Sequence, residues 1–229
     1  MRSRALFNAL ILSFVCLAHH IAFADTLTIT GVGGQNADGV YVYPYYFTES
    51  GPSGTQTLVS MSCLNFNRDV TIGESWNVNV IGISSITPGD TIDGESGLDI
   101  LADAYLFNQY AAATGNAQLT ADIQFAIWSI MDPADALHES AYNANAQALA
   151  ATALSLAGTL PSSTFAYDSL LVPSGSYPNG GEPQEFIADP HPSVVTVTPE
   201  PASLFLLGTG LFSAAILVYR KREKTSISI

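Results

Sequence analysis

Alternation of apolar and polar residues predicts β-strands in the first part of the chain. In residues 76–83, the side chains of Trp76, Val78 and Val80 fall on one face, as expected of a half-buried strand. Pro44 interrupts a segment rich in Tyr and Phe, and it favours an edge position or a bulge there. Strands are predicted at residues 27–30, 40–48, 55–66 and 76–83.

Further along the chain, the apolar spacing changes to the period of amphipathic helices. Helices are predicted at residues 98–109, 118–131 and 141–157. In the second helix, Ile123 and Ile127 mark the face that packs on the core. Strands are predicted again at residues 165–172, 185–188 and 193–198. This order predicts an α+β fold, with a β-sandwich or barrel-like framework and an inserted helical part.

Both ends of the chain carry an apolar segment beside basic residues. Residues 202–219 are uncharged, and a helix of that length would span about 27 Å, close to the roughly 30 Å of a bilayer's hydrocarbon core. Residues 220–224 contain four basic side chains, which would hold that end in the cytoplasm. At the other end, Ala22 and Ala24 have the spacing that signal peptidase recognises after a short apolar stretch. Residues 1–24 are therefore predicted to be a secretory signal that signal peptidase removes.

The C-terminal segment, residues 199–224, resembles the PEP-CTERM sorting tail of exported bacterial proteins. Pro199, Glu200 and Pro201 form the motif, and the apolar span and the basic stub follow in the order typical of that family. In that family a membrane transpeptidase, exosortase, recognises the motif and removes the span. The resemblance implies export through the inner membrane, transient anchoring by the C-terminal helix, and then a place at the cell surface or outside the cell. A plain single-pass anchor is the alternative interpretation.

The exported body, residues 25–198, is strongly acidic. Of the chain's seven basic residues it keeps only Arg68, and it keeps eighteen of the twenty acidic residues, so its formal charge is −17. Such a surface repels phosphate backbones and anionic lipids, so no nucleic-acid partner is expected. The length of the body is that of one domain with a core of ordinary size.

Cys63 is the only cysteine left in the body, because Cys16 lies in the predicted signal segment. No disulfide can therefore form within the body. A single cysteine in an exported protein indicates an intermolecular disulfide, a reactive group or a buried inert thiol. The sequence alone leaves these three possibilities open.

The second predicted helix carries a recognisable motif. Residues 123–128 have the order hydrophobic-glutamine-x-x-hydrophobic-tryptophan, which resembles the helix motif of the thioester domains of bacterial surface adhesins. Those domains place a single cysteine on an earlier strand. By this resemblance, Cys63 and Gln124 would be the sulfur and acyl partners of an internal thioester, and Trp128 would shield the bond from water. An aromatic residue commonly precedes the cysteine in that family, whereas this chain has Ser62.

The resemblance implies a covalent adhesin rather than an enzyme. The cysteine displaces ammonia from the glutamine, and an amine from a partner's lysine or a polyamine then attacks the thioester, so each molecule reacts once without turnover. The expected partner is an amine-bearing surface target. The alternative is a passive structural protein of the same fold, held in exopolysaccharide by non-covalent contacts. No cofactor is expected in either case.

Other chemistries have little support in the residues. His138 and His191 are the histidines of the body, and two scattered histidines with one cysteine do not predict a zinc site. No Gly-x-Ser-x-Gly motif accompanies them, so no serine hydrolase is predicted. The acidic segment 90–103 lacks the alternating ligands of an EF-hand loop, and we interpret it as a solvated loop, with calcium binding as the alternative. We therefore predict no metal site.

Overall fold

The computed structural model describes residues 25–51, 54–175 and 183–188. The chain divides into two compact units, Met1–Asp189 and Pro190–Ile229, and every described residue belongs to the first unit.

Several predicted features lie outside the described residues. These are the signal peptide at residues 1–24, the strand at 193–198 and the sorting tail at 199–224, including its apolar span at 202–219. In the part of the chain that the structure describes, none of the helices has the length and apolar character needed to cross a bilayer. The predicted membrane segment therefore stays a prediction.

Six of the ten described strands of the first unit close into a barrel, and the other four form two separate two-stranded sheets. In chain order, the strands are β1 (Asp25–Val32), β2 (Asn36–Ala37), β3 (Val40–Tyr41), β4 (Tyr45–Gly51), β5 (Gly54–Cys63), β6 (Ser75–Gly82), β7 (Thr91–Ile92), β8 (Glu95–Ser96), β9 (Ser169–Pro173) and β10 (Phe186–Ala188). The barrel has the order β1-β4-β5-β10-β9-β6, with β6 pairing back to β1. All of its pairs are antiparallel, and closure leaves no open sheet edge. The predicted barrel-like framework is confirmed.

The helices are inserted between β8 and β9. They are α1 (Gly97–Phe107), α2 (Ala117–Met131), α3 (Pro133–Ala136) and α4 (Ala144–Ala157). Polar side chains fix where the three longer helices begin, because each accepts a hydrogen bond from a first-turn N–H that the helix itself leaves unpaired. The capping residues are Ser96 for α1, Asn116 for α2 and Asn143 for α4.

The core has two layers that meet at β5 and β10. Inside the barrel, Phe186 packs edge-to-face against Phe47, with ring centroids 4.6 Å apart. In the adjacent row of paired residues, Ser62 of β5 pairs with Ile187 of β10, and Ile187 pairs with Leu170 of β9. All three residues are buried. Because side chains alternate across a strand, this second row lies on the outer wall of the barrel, where the helical layer covers it.

Helix α2 is more buried than its sequence pattern predicts. The pattern predicted one core stripe through Ile123 and Ile127, and both side chains are indeed buried. However, every residue from Thr120 to Trp128 is buried, because α2 packs against α1 and α4 as well as against the barrel. Gln124 consequently lies in the interior rather than beside the apolar stripe.

Several element boundaries differ from the predictions for local reasons. The predicted strand at residues 40–48 is broken around Pro44, with β3 ending at Tyr41 and β4 beginning at Tyr45. Pro133 does not only end α2; it also begins α3, in the first helical turn where a missing N–H costs nothing. The predicted strand at 165–172 begins at Ser169 instead, because Phe165 ends a short 3-10 helix.

Candidate functional site

The two predicted thioester partners are neighbours in the fold. Cys63 is the last residue of β5, and Gln124 lies in the middle of α2, the helix that covers the outer wall of the barrel. The side-chain Nε2 of Gln124 donates a hydrogen bond to the backbone carbonyl oxygen of Cys63 at 2.7 Å. Both residues are 0% exposed. The contact thus joins the carboxamide to the backbone of the cysteine, in a place that excludes water.

The thiol of Cys63 makes its own hydrogen bond to another group. Its Sγ donates to the backbone oxygen of Asn65 at 3.1 Å. Burial raises the pKa of the Cys63 thiol to about 12, and the neighbouring Trp128, Asn65 and Gln184 offset this only in part. The thiol is therefore protonated at neutral pH. Attack on the carboxamide carbon of Gln124 requires the thiol to lose the proton that it donates to Asn65.

Two hydroxyl groups hold the carboxamide oxygen of Gln124. Tyr110 donates to Oε1 at 3.0 Å, and Ser62 donates to the same atom at 3.2 Å. The two hydroxyls are themselves 3.4 Å apart. The sequence reasoning missed both of them as site residues: Ser62 was noted only as a departure from the adhesin motif, and Tyr110 was not singled out.

Local structure explains how Tyr110 reaches the site. Helix α1 ends at Phe107, and Asn108–Ala111 continue as a 3-10 helix, which has a tighter turn. Tyr110 is buried there, and its ring stacks on Tyr43 with centroids 3.7 Å apart and planes 8° apart. The stacked pair fixes the position of the phenol relative to α2.

Trp128 lies where the sequence predicted a shield. It is one turn after Gln124 on α2, is 2% exposed, and borders the Cys63 thiol. Its ring packs edge-to-face on Phe125 at 5.0 Å and on Phe66 at 5.1 Å. The position is suited to excluding water from the sulfur, and the shielding role itself stays a prediction.

Several carboxyl groups lie near the start of β10. The pKa of Glu185 is raised to about 8, mainly by burial and then by a hydrogen bond with Asp93, while Arg68 opposes the shift. Burial also raises the pKa of Asp103 well above its usual value, and the nearby Asp99 and Glu95 add to the effect. The predicted solvated loop at 90–103 is wrong for residues 97–103, which belong to α1, and Asp103 is 0% exposed. Among the described residues, neither carboxyl oxygen of Asp103 finds a hydrogen-bond partner. These carboxyls carry protons more readily than exposed ones.

A cavity of about 370 Å³ is lined in part by Tyr110. Its lining includes Ser60 from β5, Thr120 from α2, and Tyr110. These residues come from the elements that also hold the carboxamide, and Thr120 is one helical turn before Gln124. Gln124 itself does not line the cavity.

The remaining predicted site residues belong to the signal peptide and the sorting tail. Ala22 and Ala24 of the cleavage site and Pro199, Glu200 and Pro201 of the sorting motif lie outside the described residues. Within the described ranges, no group of three or more His, Cys, Asp or Glu side chains is arranged to hold a metal ion.

Comparison with known proteins gives one structural similarity, which concerns the fold, and one sequence match, which concerns the C-terminal motif. The N-terminal thioester domain of a surface protein from Clostridium perfringens is similar in structure with a TM-score of 0.37 and 13% identity, over 72% of this chain and 97% of that domain. At that score the backbones are too different for a function to be transferred. No curated protein matches the sequence. Residues 197–222 match the PEP-CTERM protein-sorting motif. The chain is therefore an exported protein that carries the sorting signal read by exosortase, and it is directed to the cell surface or the extracellular space.

Proposed function

We propose that this exported protein is a surface adhesin that bonds covalently to amine-bearing targets through an internal thioester between Cys63 and Gln124. The observation that carries the proposal is the 2.7 Å hydrogen bond from the Gln124 side chain to the Cys63 carbonyl. This hydrogen bond joins the carboxamide of one fully buried residue to the backbone of the only cysteine of the exported body.

The bond would form by a single intramolecular acyl transfer. The Cys63 thiol loses its proton, the sulfur adds to the carboxamide carbon of Gln124, the carbon–nitrogen bond breaks, and the nitrogen takes up a proton from solvent and leaves as ammonia. A primary amine of the target then attacks the same carbon. The carbon–sulfur bond breaks, an amide forms, and the proton lost by the amine restores the thiol. No oxidant, metal or cofactor is needed.

The surroundings suit such a bond. An acyl group activated as a thioester is lost to hydrolysis unless water is kept away, and Cys63, Gln124 and Trp128 are all at most 2% exposed. The body's formal charge of −17 attracts cationic amines at long range. The body contains no lysine, so it offers no side-chain amine of its own for attack.

A passive structural protein of the same fold is the second candidate, and one observation favours it. In the structure the Cys63 thiol donates to Asn65, and its pKa is raised to about 12. A protonated thiol with a satisfied hydrogen bond is an inert buried group. Under this reading the protein is held in exopolysaccharide by non-covalent contacts.

Methylamine distinguishes the two candidates. The full-length chain is treated with methylamine, digested, and the peptide that contains Gln124 is analysed by mass spectrometry. The adhesin proposal predicts methylamide at Gln124 and a newly released thiol at Cys63. Cys63→Ala should give no adduct, whereas Gln147→Glu, a change at an exposed glutamine of α4, should react as the wild type does. Equal labelling of wild type and Cys63→Ala would remove the covalent proposal, and so would no labelling of either.

A further inference from the structure

The carboxamide of Gln124 has a defined orientation. A backbone carbonyl can only accept hydrogen bonds, so the group facing the Cys63 oxygen at 2.7 Å has to be the NH₂. The oxygen Oε1 consequently faces Tyr110 and Ser62, whose hydroxyls can both donate. This assignment follows from the chemistry of the partners rather than from the shape of the amide.

We propose that Tyr110 and Ser62 form an oxyanion hole for acyl transfer at Gln124. This inference rests on the proposed thioester and assigns catalytic groups to it. When sulfur or an amine adds to the carboxamide carbon, the carbon–oxygen double bond opens and negative charge collects on Oε1. Two donors at 3.0 and 3.2 Å are already aimed at that atom. Donors placed where charge develops stabilise the transition state more than the ground state.

The environment strengthens the effect of both donors. Ser62 and Gln124 are 0% exposed and Tyr110 is 5% exposed, so little water competes for the oxygen. Electrostatic interactions are stronger in such a low-dielectric interior than in solvent. Neither hydroxyl has to break a hydrogen bond to bulk water when negative charge develops on Oε1.

Both donors are also held in place before the reaction. The ring of Tyr110 stacks on Tyr43 and meets Phe107 edge-to-face at 6.1 Å. Ser62 lies within β5 and is paired with Ile187 of β10. The two hydroxyls therefore need no rearrangement as the oxygen becomes charged, which is the condition for an effective oxyanion hole.

The same oxygen would be used in both steps of the proposed chemistry. In formation, the thiolate attacks, and the tetrahedral intermediate expels ammonia, which takes up one proton in place of the one that the thiol lost. In target capture, the intermediate expels the Cys63 sulfur, which takes up the proton lost by the amine. Atoms and charge balance in each step, and the hydroxyls of Tyr110 and Ser62 only stabilise the charge on Oε1.

A purely structural role is the competing explanation, since a buried carboxamide needs partners in any case. Kinetics separates the two roles. Tyr110→Phe keeps the stacked ring and removes only the hydroxyl, and Ser62→Ala removes the other donor. Tyr45→Phe is the matched control, because Tyr45 is another buried tyrosine whose hydroxyl donates elsewhere, to the Tyr41 oxygen at 2.6 Å.

The test uses the full-length chain of each variant. Melting temperatures establish folding, and the second-order rate constant for methylamine adduct formation at Gln124 is then measured over a range of methylamine concentrations. Loss of one donor should lower that rate constant by about 10²-fold, whereas Tyr45→Phe should react at the wild-type rate. A folded donor variant that keeps its full mass, beside a wild type that has lost ammonia, also supports the proposal, because formation uses the same oxygen.

The two proposals fail in different ways. Wild-type rates in folded Tyr110→Phe and Ser62→Ala would overturn the oxyanion hole while leaving the thioester intact. A wild type that never forms the bond would overturn both. If Tyr110→Phe does not fold, Ser62→Ala alone decides the matter by the same measurement.

Discussion

The side-chain nitrogen of Gln124 lies 2.7 Å from the carbonyl oxygen of Cys63 and donates a hydrogen bond to it. The two residues are 61 positions apart and belong to different layers, one at the end of a barrel strand and one in the middle of an inserted helix. The contact therefore exists only when the barrel has closed and α2 has packed on its outer wall. Any chemistry between the two side chains is a property of the folded domain.

The rate of thioester formation should rise with pH. Burial raises the pKa of the Cys63 thiol to about 12, so between pH 7 and pH 9 the thiolate is a minor form whose fraction grows about tenfold per pH unit. We expect the rate of ammonia loss to grow by the same factor in chain refolded from inclusion bodies. Mass spectrometry of samples quenched in acid measures it. A rate that does not change across this range would show that the thiolate is not the attacking species.

Stability should fall as pH rises from 5 to 9. The pKa of Glu185 is raised from 4.5 to about 8 in the folded state, so the folded chain binds a proton that the unfolded chain releases. The stabilising effect is complete below the unfolded pKa and is lost as pH passes through about 8. Urea midpoints at pH 5 and pH 9 measure this decline, and Glu185→Gln should make it smaller. Asp69→Asn, a change at an exposed carboxyl, should leave it as in the wild type; an undiminished decline in Glu185→Gln would contradict the assignment.

Replacement of Trp128 by Phe should make the proposed thioester hydrolyse faster. The indole borders the Cys63 thiol and packs on Phe66 and Phe125, so a smaller ring leaves space beside the sulfur that water can enter. The rate of thiol release without added amine measures hydrolysis. Trp76→Phe is the matched control, because Trp76 is also buried but packs against Phe47. Equal rates in the two variants would remove the shielding role.

Asn65→Ala should destabilise the domain by about 1–3 kcal/mol, the usual cost of leaving a buried hydrogen-bonding group unpaired. The Asn65 side-chain oxygen accepts the backbone N–H of Glu185 at 2.8 Å, and Asn65 is 2% exposed. This bond joins the segment after β5 to the start of β10. Asn67→Ala, two residues on and exposed, is the control. The change in urea unfolding free energy measures the effect, and equal values for the two variants would contradict it.

The order of elements was predictable because apolar periodicity is a local signal. The strands before residue 90, the helices between 97 and 157, and the motif around Gln124 all follow from spacing within one element. The exact bounds depended on capping and on proline: Asn143 delays the start of α4, and Pro133 begins α3. The near-complete burial of α2 was not predictable, since it results from packing against α1, α4 and the barrel.

The site was predictable in its principal pair and not in its supporting groups. Cys63 and Gln124 were identified because one is the body's only cysteine and the other lies in a recognisable helix motif. The contact of Tyr110 with Gln124 depends on the change from α-helix to 3-10 helix at Asn108. No pattern in the sequence predicts this change. Ser62 belongs to the site because helices cover the outer wall of β5. Alternation within one strand does not predict this packing.

The mass of the intact chain tests the central claim most directly. A thioester between Cys63 and Gln124 lowers the mass by about 17 Da, the mass of ammonia, relative to the sequence. We predict this deficit in the purified wild-type chain, together with a Cys63 that does not react with 4,4′-dithiodipyridine, a thiol reagent that is active in acid, after rapid denaturation in acid. Cys63→Ala should show the full mass of its own sequence. A wild-type chain with its full mass and an alkylatable Cys63 would contradict the account.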